Sequence, residues 1–178
     1  MSSIRATTVL MVRRDGNTCM ASDGQVTFND TVIKESAQKV RRAGKGEVLV
    51  GFAGGEADGL ALFSRFESKL DEFQGNLERA VVELAKDWRT DRVLRQLQAH
   101  MIVVGKQESF LVSGNGDLMQ PDEDGVLAIG SGSNYALAAA RALLEHTPMS
   151  AKQIVHEAMK IAARICIYTN DHLTVEEL

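Results

Sequence analysis

Strand-like and helix-like periods follow one another in blocks along this chain, and that order limits the possible folds more than any other feature. Thr7 to Val12 and Thr18 to Ala21 are β-like runs around Arg14-Asp15-Gly16-Asn17, and Asp-Gly between two such runs predicts a hairpin. Val26 to Ile33 reads as another extended stretch, and Glu47 to Ala53 as a strand too apolar for one-sided exposure. The period then changes. Leu60, Phe63, Phe66, Leu70 and Phe73 recur at three and four, which predicts an amphipathic helix. Asn76 N-caps a second helix with Leu77, Ala80, Val81, Leu84, Ala85 and Trp88 on one face, continuing toward Leu97. Strands return at His100 to Val104, Ser109 to Val112, Asp117 to Met119 and Val126 to Ile129. Two more helices span about Asn134 to Glu145 and Ala151 to Arg164, the latter headed by Ser150 and Gln153 in capping-box spacing. Ile165 to Thr169 and Leu173 to Val175 close the chain as strands. A doubly wound parallel sheet needs strict alternation, so the order predicts an α+β fold with two antiparallel sheets between two helix layers.

Composition sets outer bounds. With 178 residues and 44% hydrophobic residues the chain supports one core and one domain. A net charge of -4 lacks the basic excess that neutralises phosphates, so no nucleic acid is expected as a partner. Cys19 and Cys166 stand far apart, with no C-x-x-C and no histidine at ligand spacing, and read as buried thiols in a reducing compartment. The apolar run Val9 to Val12 ends at Arg13-Arg14-Asp15, too short for a secretory or membrane segment, so a cytoplasmic protein with no membrane partner is expected.

The chemistry begins at Thr7. Behind a stub of residues 1–6, Thr7-Thr8 opens the first β-like run, and cutting the Ala6/Thr7 bond would give Thr7 a hydroxyl and a free α-amine together. An α-amine with an unperturbed pKa of about 7.7 to 8.0 accepts a hydroxyl proton near neutral pH, so this nucleophile carries its own base. Ser22-Asp23-Gly24-Gln25 reads alone as an Asx-type turn, and Lys39 in Ala37-Gln38-Lys39-Val40-Arg41-Arg42 as part of a solvated basic run. Paired, a lysine ammonium beside a threonine hydroxyl favours the alkoxide, and Asp23 keeps that ammonium charged and oriented. Gly51-Phe52-Ala53-Gly54-Gly55 is either a tight strand-to-helix turn or a source of backbone N–H for an oxyanion. Gly130-Ser131-Gly132-Ser133 lacks the first glycine of a nucleophile elbow, which leaves Ser131 as a supporting hydroxyl. The sequence contains no G-x-x-x-x-G-K-[ST], so this chain is not expected to bind nucleotide. Lys86, Arg89, Arg92 and Arg95 are interleaved with Asp87 and Asp91 and read as a solvated or intersubunit face, and the four histidines as surface or packing residues.

Taken together, Ala6-Thr7-Thr8, Ser22-Asp23-Gly24-Gln25, Lys39-Val40-Arg41-Arg42, Gly51-Phe52-Ala53-Gly54, the run from Val82 to Asp91, Gly114-Asn115-Gly116-Asp117, Ala128-Ile129-Gly130-Ser131-Gly132 and Cys166-Ile167-Tyr168-Thr169-Asn170 resemble the HslV (ClpQ) family of bacterial proteasome-like peptidases. The resemblance runs from Thr7 to the C-terminus. It implies a four-layer αββα sandwich of the N-terminal-nucleophile hydrolase type, with 7–178 as a single proteasome β-subunit-like peptidase domain behind the propeptide stub 1–6. It implies a threonine endopeptidase in which Thr7 attacks peptide carbonyls, Asp23 and Lys39 form the adjacent charged pair, Gly51 supplies the oxyanion amide and Ser131 the nearby hydroxyl. Ala163, Cys166 and Thr169 match a loop that binds sodium through backbone carbonyls, with Ala163 in place of an expected glycine. The resemblance further implies a homododecamer of two stacked hexameric rings, capped by the AAA+ ATPase HslU, which threads unfolded protein substrates into the chamber.

Three alternatives stand beside this reading. Removal of Met1 alone exposes Ser2, which has the same chemical capacity as Thr7 but must displace it to reach Asp23 and Lys39. An amidohydrolase acting on small amides without an ATPase would keep the fold, as would a non-catalytic shell subunit, though the joint presence of Thr7, Asp23 and Lys39 speaks against the latter.

Overall fold

The computed structural model describes residues 4–92, 94, 97 and 99–178. Twelve strands and four α-helices are described. In chain order they are β1 (Ile4–Ala6), β2 (Thr8–Arg14), β3 (Asn17–Ser22), β4 (Val26–Phe28), β5 (Thr31–Lys34), β6 (Val40–Ala43), β7 (Val48–Gly54), α1 (Glu56–Glu72), α2 (Leu77–Thr90), β8 (Ala99–Val104), β9 (Ser109–Val112), β10 (Leu118–Met119), β11 (Val126–Gly130), α3 (Ser133–His146), α4 (Ala151–Ile165) and β12 (Thr174–Glu177). The β2–β3 turn is the expected hairpin, with Arg14 opposite Asn17 and both Asp15 (φ 52) and Gly16 (φ 77) in the left-handed region that a two-residue primed turn demands.

Two antiparallel sheets stack face to face, β11-β2-β3-β12 on β10-β9-β8-β7-β6. Strand alternation explains the layers. Val9 and Met11 point from β2 into the space between the sheets, where they meet Leu49, Ile102 and Val104, while Leu10 and Val12 point the other way onto Ile154, Val155 and Met159 of α4. On the far side Val50, Met101 and Val103 pack under Leu62, Phe66, Leu84 and Trp88 of α1 and α2. The result is the expected helix, sheet, sheet, helix order. Trp88 and Phe66 are both fully buried, and burial of side chains of this size contributes about 1.5–3 kcal/mol each. Asn76 accepts from the Arg79 N–H, and Ser150 with Gln153 forms the capping box read from the sequence.

Several expectations need correction. Val26 to Ile33 is not one strand but a hairpin of β4 and β5, folded where Asn29 takes φ 52. The basic run at 39–42 is solvated only in part: Arg41 and Arg42 are exposed on β6, whereas Lys39, just before the strand, and Val40 are buried. Ile165 to Thr169 does not form a strand. The Cys166 N–H closes α4 on the Ala162 carbonyl and the Thr169 N–H turns back to the Cys166 carbonyl, so the segment is a helix end followed by a turn, while the edge of β3 is taken by β12. α2 stops at Thr90 instead of running to Leu97, and Arg95 lies outside the described residues. Residues Ile4–Ala6 of the stub pair antiparallel with β4, in a third sheet of order β1-β4-β5.

Candidate active site

Thr7 sits between β1 and β2 and is buried. Its φ of 105 makes it the only β-branched residue at positive φ among the described residues, at the junction with Ala6 where the stub would be cut. Such a conformation costs of order 1–3 kcal/mol and persists only where surrounding bonds impose it. Here the Ser131 N–H donates to the Thr7 carbonyl at 2.8 Å, and a Cβ at Gly130 would collide with that carbonyl, so the start of β11's connecting turn must be glycine.

The neighbouring Thr8 is fully buried and anchors the site. Its N–H donates to Asp23 Oδ1 at 2.7 Å, and the Asp23 N–H returns to the Thr8 carbonyl at 3.1 Å. Its hydroxyl accepts the Gly132 N–H at 2.9 Å and lies 2.7 Å from the Thr169 hydroxyl. The Asp23 carboxylate, with no exposed surface, is also met by the Gln25 N–H at 2.9 Å, the Asn170 N–H at 3.4 Å and Lys39 Nζ at 3.1 Å. Backbone N–H groups thus offset the cost of burying its charge. Lys39 makes a second bond, to the Gln25 carbonyl at 2.6 Å. Burial pushes the Lys39 ammonium below its ordinary pKa, opposed in part by the charge and hydrogen bond of Asp23 and by Glu56.

Thr7 and Lys39 share one small cleft, walled by Val26, Ala37, Phe52, Gly54 and Glu56. The structure therefore brings Thr7, Asp23 and Lys39 together. Ser131 joins through its backbone bond to Thr7 while its side chain is exposed. Gly51 stands mid-strand in β7, opposite Val40 on one side and Ile102 on the other; a Cβ there would lie 2.6 Å from Val9 Cγ1 and 2.9 Å from Met20 Sδ, so close sheet packing by itself demands glycine. Ser2 lies outside the described residues.

The end of α4 carries Ala163, Cys166 and Thr169. Helix geometry leaves the last-turn carbonyls without intrahelical partners and gives that end partial negative charge, which suits a cation. Among the described residues no group of three or more His, Cys, Asp or Glu side chains is placed to hold a metal. Reasoning from sequence missed Thr8, Gln25, Glu56 and Asn170. Asn170 had a local signal, an Asn in a turn, and so did Gln25, whose N–H closes the Asx-type turn on Asp23 Oδ2; Thr8 and Glu56 announce themselves only through long-range contacts.

The proteasome-subunit family model matches residues 4–178. The ATP-dependent protease subunit HslV of Thermosipho africanus is 59% identical over 174 residues, covering 98% of each chain. The crystal structure of eukaryotic HslV from Trypanosoma brucei superposes with a TM-score of 0.92 at 44% identity, over 96% of this chain and 98% of that one. A structure of BPH from Thiobacillus denitrificans shares the fold, with a TM-score of 0.75 at 22% identity over 96% and 97% of the two chains. Sequence, sandwich and buried Thr-Asp-Lys cluster agree: this chain belongs to the proteasome-subunit family, among the HslV protease subunits.

Proposed function

We propose that Thr7, freed by removal of residues 1–6, is the nucleophile of this peptidase. The observation that carries the assignment is the cleft shared by Thr7 and Lys39, whose ammonium is paired with the buried Asp23. The freed α-amine takes the proton from Oγ1 as that oxygen attacks the substrate carbonyl carbon, with the Lys39 ammonium favouring the alkoxide and Asp23 holding Lys39 in place. Gly54, which lines the cleft with Thr7 and Lys39, offers the backbone N–H for the developing oxyanion, whereas the expected donor Gly51 is paired between β6 and β8. The amine then passes its proton to the leaving peptide nitrogen as the C–N bond breaks, leaving an ester on Thr7. Water, deprotonated by the same amine, hydrolyses that ester and regenerates the hydroxyl. The Ser131 hydroxyl assists at the rim.

Residues Ala163, Cys166 and Thr169 would hold a sodium ion through their carbonyls, which supplies fixed positive charge at the end of α4. The relative's name describes an ATP-dependent protease subunit, while this chain carries no phosphate-binding loop, so nucleotide hydrolysis falls to a separate partner of the HslU type. Two stacked hexameric rings, acting in the cytoplasm on threaded unfolded protein, complete the proposal; no helix among the described residues is long and apolar enough to cross a membrane.

Intact mass of the purified protein together with a Thr7→Ala variant tests the reading. Loss of residues 1–6 and abolition of peptide hydrolysis with assembly retained are expected. A mature chain that keeps its leader while hydrolysing peptides at full rate, or an active Thr7→Ala variant, overturns it.

A further inference from the structure

We propose that Asn170 is a positioning residue for this chemistry, its carboxamide locking the turn that carries Asp23 against the segment that delivers Lys39; the inference rests on the threonine-peptidase reading above. The Asn170 side-chain oxygen accepts the Gly24 N–H at 3.0 Å and the His172 N–H at 3.3 Å, and its NH2 donates to the Glu35 carbonyl at 2.9 Å. The amide has one workable orientation, because reversal would set NH2 against two N–H donors and oxygen against a carbonyl. Its own backbone N–H reaches Asp23 Oδ2 at 3.4 Å.

Gly24 is consequently held on three sides. Its N–H is on Asn170, its carbonyl accepts the Ala37 N–H at 2.9 Å, and the place of a Cβ is filled by the Glu35 carbonyl. Asp23 and Lys39 belong to different segments, one after β3 and the other before β6. Lys39 Nζ meets Asp23 only while the 35–37 backbone lies against Gly24, and Asn170 ties those two backbones from a third segment, the loop after α4. A loosened tie lets the charged pair drift from the geometry that the attack requires.

Steady-state hydrolysis of a fluorogenic peptide amide by the full chain, as Asn170→Ala and Asn170→Asp, is the test. Asn170→Ala should lower kcat about tenfold or more, with KM within about twofold and assembly mass unchanged. Asn170→Asp keeps the acceptor for Gly24, turns the donor facing Glu35 into an acceptor and adds negative charge beside Asp23. That charge holds protons on nearby amines, so the acid limb of the kcat profile should move to higher pH. A role in packing alone would lower the melting point and leave kcat of the assembled enzyme unchanged. Should Asn170→Ala fail to assemble, kcat of assembled Asn170→Asp at its own pH optimum decides, because loss of the donor to the Glu35 carbonyl lowers that plateau and a shifted proton affinity alone does not. Wild-type kcat and profile in both variants, or a change in KM only, overturns the proposal against an active wild type; an inactive wild type removes the peptidase reading and this inference with it.

Discussion

Thr8 and Asp23 hold each other in both directions: the Thr8 N–H donates to Asp23 Oδ1 at 2.7 Å, and the Asp23 N–H donates to the Thr8 carbonyl at 3.1 Å. Thr8, which follows Thr7, and the carboxylate of the charged pair are therefore one rigid unit. Asp23 then fixes Lys39, which shares the cleft with Thr7. Positional error in any member is passed to the others, and the following outcomes depend on that coupling.

Strain at Thr7 should be measurable in the uncut chain. Thr7→Ala and Thr7→Gly both lack the hydroxyl, but only glycine adopts φ 105 without a Cβ penalty. Thr7→Gly should be more stable than Thr7→Ala by about 1 kcal/mol, or roughly 2–4 °C in Tm, by thermal unfolding. Equal midpoints would show that the junction is relaxed.

Lys39 ties activity and stability to pH. Its folded pKa is depressed by burial, so the stability linked to it is fully present above the ordinary lysine value of 10.5 and is lost as pH falls toward the lowered one. At neutral pH the buried ammonium is a cost that Asp23 only partly offsets. Wild type should gain stability with rising alkaline pH relative to an Asp23→Asn/Lys39→Met double variant, as read by urea unfolding at several pH values. Activity should decline on the alkaline side at a pH below 10.5, where the ammonium is lost. Lys39→Ala alone leaves Asp23 buried and short of its cation, and should cost about 3 kcal/mol or more.

Gly132→Ala probes the hydroxyl pair of Thr8 and Thr169, next to Thr7. A Cβ there would strike the Thr8 hydroxyl and lie 2.7 Å from Thr169 Oγ1, forcing apart two groups now 2.7 Å from each other. Destabilisation of about 1–3 kcal/mol in urea unfolding is expected, with a fall in kcat as the start of β2 shifts. Unchanged values would mean that the turn yields freely.

Sodium dependence tests the loop after α4. If its carbonyls hold the ion, replacing sodium by choline at constant ionic strength should lower both Tm and peptide turnover, because a ligand bound only to the folded chain stabilises it. Identical melting curves in the two salts would exclude a folded-state sodium site.

Periodicity made the helices legible, since an apolar residue every three or four positions states which face is buried before any partner is known. The Asn76 and Ser150 caps were equally legible, because both sides of each bond lie within three residues. Ile165 to Thr169 misled because isoleucine, tyrosine and threonine suit a strand, yet a strand needs a vacant sheet edge, and β12 occupies the edge of β3. Lys39 looked like solvated surface because its counter-charge, Asp23, comes from the turn after β3, 16 positions earlier.

From the chain alone came the block order that dictates a helix-sheet-sheet-helix sandwich, the residue types able to act at Thr7, and the family resemblance, all properties of local period and motif. Tertiary structure alone decided which groups meet. Thr8 and Thr169 are 161 positions apart and Gly24 and Asn170 are 146 apart, so the bonds joining them exist only once loop entropy has been overcome by burial of the core.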